Sequence, residues 1–179
     1  MYVNSAFKTD EIAAWDFVVD RGFGAIVAID QGTPVSAHVP LLVTGEGDKR
    51  CVEFHVARAN PLHDVIAANP RVLVTVWGPD AYISPDWYVS ADQVPTWNYV
   101  AAHLTGTAHA MAPEQALDHV ERIECSFKLS QNKTVTDRME AARMLDWRGS
   151  HNERGMAAAM RDALKATASA TLKTTKATV

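Results

Sequence analysis

Cys51-Val52-Glu53-Phe54-His55-Val56-Ala57-Arg58-Ala59-Asn60-Pro61 is the stretch on which the reading of the fold turns. From Cys51 to Val56 apolar and non-apolar residues alternate, which predicts a strand with Val52, Phe54 and Val56 on a core face and Glu53 and His55 on the other. Asn60 is a favoured helix cap and Pro61 a favoured first helical residue, so a helix is expected to run through Ile66 until Asn69-Pro70 stops it. The start of a helix presents unpaired N–H groups and partial positive charge, and Arg58 stands two residues before the cap. Together they have the elements of an anion site that suits a phosphate. The same residues read equally well as a solvated strand-end charge and an ordinary cap.

Working outward toward the N-terminus, Gly45 to Arg50 is a polar loop. Ala25 to Ile29 and Val35 to Val43 form a hairpin about the turn Asp30-Gln31-Gly32-Thr33-Pro34, with Pro40 marking an edge or a bulge. Thr9 is expected to cap a helix carrying Asp10 and Glu11 in its first turn and Ile12, Trp15, Val18 and Val19 on one face, ending at Gly22. Toward the C-terminus, Arg71 to Trp77 reads as a strand, Gly78-Pro79-Asp80 as a turn and Ala81 to Ser84 as a short extended piece. Val100 to Met111 reads as a long strand with Gly106 permitting a bend, and Pro113-Glu114 open a helix through Ile123. A polar connector from Cys125 to Lys133 leads to a helix begun near Thr134 or Thr136. A last helix from about Asn152 to Lys165 carries Met156, Met160 and Leu164, and residues 166–179 read as a disordered tail. The fold expected is mainly β with flanking helices: an antiparallel barrel of about six strands, in a single domain over residues 1–165.

Among 179 residues, 17 Lys and Arg stand against 21 Asp and Glu, a net charge of -4 that gives nucleic acid no general attraction. Cys51 and Cys125 have neither metal-ligand spacing nor a disulfide-scaffold pattern, the start lacks a signal-peptide pattern, and no apolar run is long enough to span a bilayer; a reducing cytoplasm is expected. His38 in the neighbouring predicted strand could share a surface with His55 and Arg58. Metal ligation by His38, His55 and Glu53 lacks a supporting spacing such as an i, i+4 histidine pair. Ser84 beside Pro85 lacks a nucleophile-elbow context, and no glycine-rich phosphate loop is present. Tyr82-Ile83-Ser84-Pro85-Asp86-Trp87-Tyr88 and Val94-Pro95-Thr96-Trp97-Asn98-Tyr99 concentrate rings with polar tips in pieces stiffened by proline. They suit either the covering of a flat ligand ring or a satellite hydrophobic cluster beneath a loop.

These two segments, His55 to Pro61, and Phe127-Lys128-Leu129-Ser130-Gln131-Asn132 occur in an order that resembles the PaiB-type FMN-binding negative transcriptional regulators. The opening Met1-Tyr2 and Ala37-His38-Val39-Pro40-Leu41 are similar as well, and the resemblance covers roughly Met1 to Leu145. It implies the split-barrel FMN-binding fold and a homodimer with flavin held between subunits. It further implies a binding set in which Arg58 neutralises the FMN phosphate, with Asn60 and the helix N-terminus also holding it, while His38 and His55 contact the ribityl chain or ring edge. Trp87, Trp97, Asn98 and Tyr99 would border the isoalloxazine, Lys128 would assist at the phosphate, and Tyr82, Ser84 and Gln131 come from the same motifs. Three departures bear on cofactor affinity. Pro61 and Leu62 stand where the related pyridoxamine-phosphate oxidases carry basic residues, the stretch between Gly106 and Lys128 is shorter than in the family, and Val89-Ser90-Ala91-Asp92 replaces a lysine-bearing loop. The functions in view are a flavin-binding regulator, an FMN-dependent oxidoreductase and a dimeric barrel without cofactor. Arg143, Arg148, Arg154 and Arg161 are interleaved with acids, so no basic recognition helix supports direct DNA reading.

Overall fold

The computed structural model describes residues 2–110 and 119–176, with backbone alone over 119–125 and 168–176. The first helix, α1 (Glu11–Arg21), is capped by Asp10 and not by Thr9, because the Asp10 carboxylate accepts the Ala13 N–H at 2.9 Å. Its apolar face is narrower than the periodicity suggests: Trp15 and Val18 are buried, while Ile12 and Val19 are 67% and 60% exposed. Gly22 closes the helix in the left-handed region at φ 53°, its N–H reaching Val18 O at 3.0 Å.

Strands β1 (Phe23–Asp30) and β2 (Thr33–Pro40) pair antiparallel from Asp30↔Thr33 to Phe23↔Pro40. The two residues between them, Gln31 and Gly32, both have positive φ, as a tight hairpin turn of matching twist requires. Pro40 ends β2, which is an edge strand, so its missing N–H costs no ladder bond. The remaining elements are β3 (Leu42–Thr44), β4 (Cys51–Glu53), α2 (Leu62–Ala68), β5 (Arg71–Ile83), β6 (Thr96–Thr107), β7 (His119–Lys128), α3 (Val135–Arg148) and α4 (His151–Lys176). The strands form one sheet in the order β2-β1-β5-β6-β7-β4-β3. The mainly antiparallel architecture with flanking helices is as expected, with seven strands among the described residues where about six were expected.

Three expectations are corrected. Gly78-Pro79-Asp80 is no turn but the middle of the 13-residue β5. The ladder with β1 covers only Leu73 to Thr75, which leaves Pro79 beyond it. Residues 119–128 form β7, where the end of a helix and a polar connector were expected; Ile123-Glu124-Cys125-Ser126-Phe127-Lys128 alternates with the strand period of two. The expected start of that helix and the strand end at Met111 lie outside the described residues. Helix α4 continues to Lys176, through most of the run expected to be a tail, in keeping with the helix propensity of its many alanines.

Contacts divide the chain into two compact units: residues 1–2, 9–77 and 101–125 make the first, and 3–8, 78–100 and 126–179 the second. The core of the first unit is built on Trp15, Val18, Ile26, Val52, Val74, Val76 and Leu104. In the second, α3 packs on α4 with Leu145, Met156 and Met160 fully buried, and truncating any one to alanine is expected to cost about 2–5 kcal/mol. Gly155 admits Pro79 against α4, since a Cβ there would sit 3.2 Å from Pro79 Cβ. Among the described residues no helix is long and apolar enough to cross a membrane.

Candidate functional site

In the first unit the ladder between β3 and β4 is only three residues long. Gly45 ends β3 in a turn so tight that an added Cβ would meet Lys49 O at 2.2 Å. At the other end of the ladder β3 begins only at Leu42, opposite Glu53, so the strand stops at Glu53 and not at Val56. Phe54 and Val56, expected in the core, are half-buried, and His55 is exposed. Phe54, His55 and Val56 line a cavity of about 640 Å³ with His63, Ile66 and Ala67 of α2. Pro70, Ala108, His109 and Ala110 also line it. An apolar lining punctuated by a few imidazoles, at this volume, suits a medium-sized organic ligand. His63 Nδ1 lies 3.2 Å from Asp64 Oδ1.

The loop joining the two sides of this cavity carries Arg58 and Asn60. Asn60 accepts at the helix start, its Oδ1 taking the Leu62 N–H at 3.0 Å and its carbonyl the His63 N–H at 3.2 Å, but the N-cap position is Pro61, one residue later than expected. The helix proper begins at Leu62, with Pro61 in the preceding turn. Arg58 is exposed and has no ion pair among the described residues. His38 faces elsewhere: it stacks on Phe23 at 6.4 Å and lies 6.4 Å from the Trp77 ring. No hydrogen bond or ring contact among the described residues joins it to His55.

In the second unit Tyr82, Trp87 and Trp97 form an edge-to-face cluster, with Tyr82 6.3 Å from Trp87 and 6.2 Å from Trp97. Trp97 is 55% exposed, so its ring offers a surface. Ser84 caps the 3-10 turn Pro85–Trp87, accepting the Asp86 N–H at 3.3 Å, and Arg148 lies 5.7 Å over Trp87. Lys128 donates to Thr96 Oγ1 at 2.5 Å and sits 6.0 Å from the Tyr99 ring centre and 5.9 Å from that of Phe7; burial lowers its pKa. Gln131 braces the turn after β7, accepting the Leu129 N–H at 2.7 Å and donating to Phe127 O. Asn98 is fully buried, its amide donating to Ser130 Oγ at 2.9 Å and to Met160 Sδ at 3.4 Å. Lys128, Asn98 and Gln131 are thus engaged within the protein.

Buried polar residues in this unit went unnoticed in the sequence. Ser130, in the left-handed region at φ 59°, joins the Tyr88 hydroxyl at 3.0 Å to the Asn98 amide. Burial of Tyr88 raises its pKa, the Ser130 hydrogen bond opposing. Asp137 and Arg138 are both buried in the first turns of α3. Arg138 shares its period with the buried Ala141, Ala142 and Leu145, at i+3, i+4 and i+7, which is the signal that could have revealed it.

Residues 1–168 match the family model described as "Putative FMN-binding domain". The chain is 31% identical to "Protease synthase and sporulation protein PAI 2" of Bacillus subtilis (strain 168) over 205 aligned positions, covering 92% of this chain and 99% of that protein. It is also 25% identical to the uncharacterized protein YKL070W of Saccharomyces cerevisiae over 113 positions, 60% of this chain and 61% of that one. Among solved structures, that of the FAD and heme binding protein from Mycobacterium smegmatis superposes with a TM-score of 0.50 at 13% identity, covering 69% of this chain and 74% of that one. That likeness concerns the fold, which agrees with the split-barrel expectation.

Proposed function

The chain belongs to the family described as "Putative FMN-binding domain", and on that premise we propose that it binds FMN and does so as a homodimer. The cavity of about 640 Å³ in the first unit carries the proposal. Its volume falls within the range of small-molecule and cofactor sites, and its lining is mostly apolar with a few polar groups, as a flavin ring and its polar chain require. Arg58, exposed on the loop between the lining segments and without an ion pair among the described residues, is the cation for the phosphate. His55 contacts the ribityl chain or ring edge. When bound, the flavin supplies hydride or one-electron chemistry, while the protein binds, orients and excludes water.

Val135 and Met139, 60% and 58% exposed and one turn apart on α3, support the dimer as an apolar strip for a second copy. Direct DNA reading is not part of the proposal. On α3 and α4, Arg143 pairs with Glu140 at 2.9 Å, Arg148 with Glu153 at 2.5 Å and Arg161 with Asp146 at 2.5 Å. The test is a titration with FMN followed by flavin fluorescence on the wild type and Arg58→Ala. Saturable binding weakened tenfold or more in the variant supports both cofactor and phosphate contact; no saturable binding by the wild type overturns the proposal.

A further inference from the structure

Strands β1 and β5 lack the alternation of a sheet with one face in water. β1 runs Phe23-Gly24-Ala25-Ile26-Val27-Ala28-Ile29 and β5 runs Val72-Leu73-Val74-Thr75-Val76-Trp77, with no charged residue in either run. An antiparallel strand with one solvated face carries polar residues at every second position, whereas continuous apolar runs belong to strands covered on both faces. One face of this pair is covered within the first unit, where Ile26, Ala28, Val74 and Val76 are 5% exposed or less. The other face is open: Phe23, Ile29 and Trp77 are 46%, 42% and 49% exposed.

The pairing registers locate that open face. Ala25 stands opposite His38 of the edge strand β2 on one side and Thr75 of β5 on the other, so Phe23, Ile29, His38 and Trp77 all point the same way. The rings agree, the His38 centroid lying 6.4 Å from both Phe23 and Trp77. Along the outward positions from Phe23 to Ile29, Pro34 to Pro40 and Arg71 to Trp77 no carboxylate occurs, in a chain with 21 Asp and Glu, and the one arginine, Arg71, stands at the end of its strand. A patch stripped of charge and centred on aromatic rings has the composition of the middle of a subunit interface, above all a homodimeric one. We propose that the outer face of β2, β1 and β5 is where a second copy of this chain packs, sheet against sheet about a two-fold axis, with Phe23 and Trp77 as its anchors. The charge pattern favours a second copy over an oppositely charged partner. A face without carboxylates offers nothing to a basic surface and has no fixed cation at its centre for an acidic one, whereas the same face on a second copy meets it apolar to apolar. The inference rests on the homodimer proposed above and assigns its principal contact to this face in place of the two side chains of the α3 strip.

The full chain is measured by size exclusion with light scattering and by sedimentation equilibrium, with and without FMN, as wild type, Phe23→Glu, Trp77→Glu, Trp77→Thr and Met139→Glu. The wild type is expected to be dimeric, and a carboxylate at either anchor to leave the chain monomeric, because each dimer would bury two unpaired charges. Trp77→Thr keeps a residue suited to a solvated strand face and is expected to weaken dimerisation tenfold or more with the circular dichroism spectrum retained, so it carries the test if a glutamate variant does not fold. Met139→Glu, on α3, is expected to remain dimeric. Dimers of undiminished affinity in Trp77→Thr and both glutamate variants overturn the assignment of the face and leave the homodimer standing. Loss of the dimer in Met139→Glu alone moves the contact to α3 and overturns it equally. A wild type that is monomeric with and without FMN overturns both this inference and the homodimer, while flavin binding is judged by its own titration.

Discussion

Asp137 in α3 accepts the backbone N–H of Ser90 at 2.8 Å, and the neighbouring Val89 N–H at 2.6 Å, on a single carboxylate oxygen, while the Ser90 hydroxyl donates to the other. One side chain thereby ties the loop after Tyr88 to the start of a helix 47 residues further along the chain. The Ser90 hydroxyl above all, helped by the backbone N–H groups, holds the Asp137 carboxyl well below the usual carboxylate range. A folded pKa below the unfolded one contributes stability that is present above about pH 4, where the unfolded carboxyl ionises, and is lost as pH falls through the folded value. Asp137→Asn is expected to cost about 2 kcal/mol at pH 7, the scale of a charge-assisted hydrogen bond, and much less at pH 2. Urea unfolding of both proteins across pH 2–7 measures this, and an equal deficit at both ends contradicts the assignment.

Ser130 accepts from the Asn98 amide and shares a hydrogen bond with the Tyr88 hydroxyl, so one hydroxyl satisfies two other buried polar groups. Ser130→Ala leaves both wanting a partner and is expected to destabilise the protein by about 2 kcal/mol. Because the Ser130 bond lowers the Tyr88 pKa against the effect of burial, its loss also moves the tyrosine titration upward. Tyr88→Phe on the Ser130→Ala background is expected to recover part of the stability. A double-mutant cycle with additive losses disproves the coupling.

Two glycines of the first hairpin separate steric need from backbone need. A Cβ on Gly24 would come 2.5 Å from Thr75 O and 3.0 Å from Leu41 Cδ1, while Gly32, at φ 86°, has nothing within 4 Å of the same position. Gly24→Ala must therefore push β1 away from β5 and is expected to cost about 2–3 kcal/mol. Gly32→Ala carries only the left-handed backbone strain of about 1 kcal/mol. Thermal unfolding of the pair should rank them in that order.

Several short local patterns were readable, although the period of two over Ile123 to Lys128 was passed over. The hairpin about Gln31-Gly32, the helix start near Asn60, the helix start at Thr134 as one of two candidates, and the buried Met156 and Met160 follow from patterns a few residues long. Other features depended on distant partners. Gly78-Pro79 has the composition of a turn and becomes strand because the β1 ladder ends before it and Gly155 of α4 admits the proline ring. The hydrogen bonds of Lys128, Ser130 and Gln131 to Thr96, Tyr88, Asn98 and the motif's own backbone could not be read from the motif itself. Arg138 shares the helical period of the buried Ala141, Ala142 and Leu145, a local signal that was passed over because arginine is a surface residue by default.

Trp97 distinguishes a ligand surface from a structural ring. Its neighbour Tyr82 meets it edge-to-face at 6.2 Å, which fixes its orientation, and 55% of it remains open. If the ring borders bound flavin, Trp97→Ala removes a stacking surface with little core burial lost. FMN affinity should then fall about tenfold, the upper end of an aromatic pair's contribution, while stability changes by under about 1 kcal/mol. Trp97→Phe keeps a ring and should recover most of the affinity. Flavin fluorescence titration beside thermal unfolding reads both quantities. Affinity unchanged in Trp97→Ala would remove Trp97 from the ligand surface and leave it as the outer member of the Tyr82 and Trp87 cluster. A large loss of stability without loss of affinity would mark the cluster as structural.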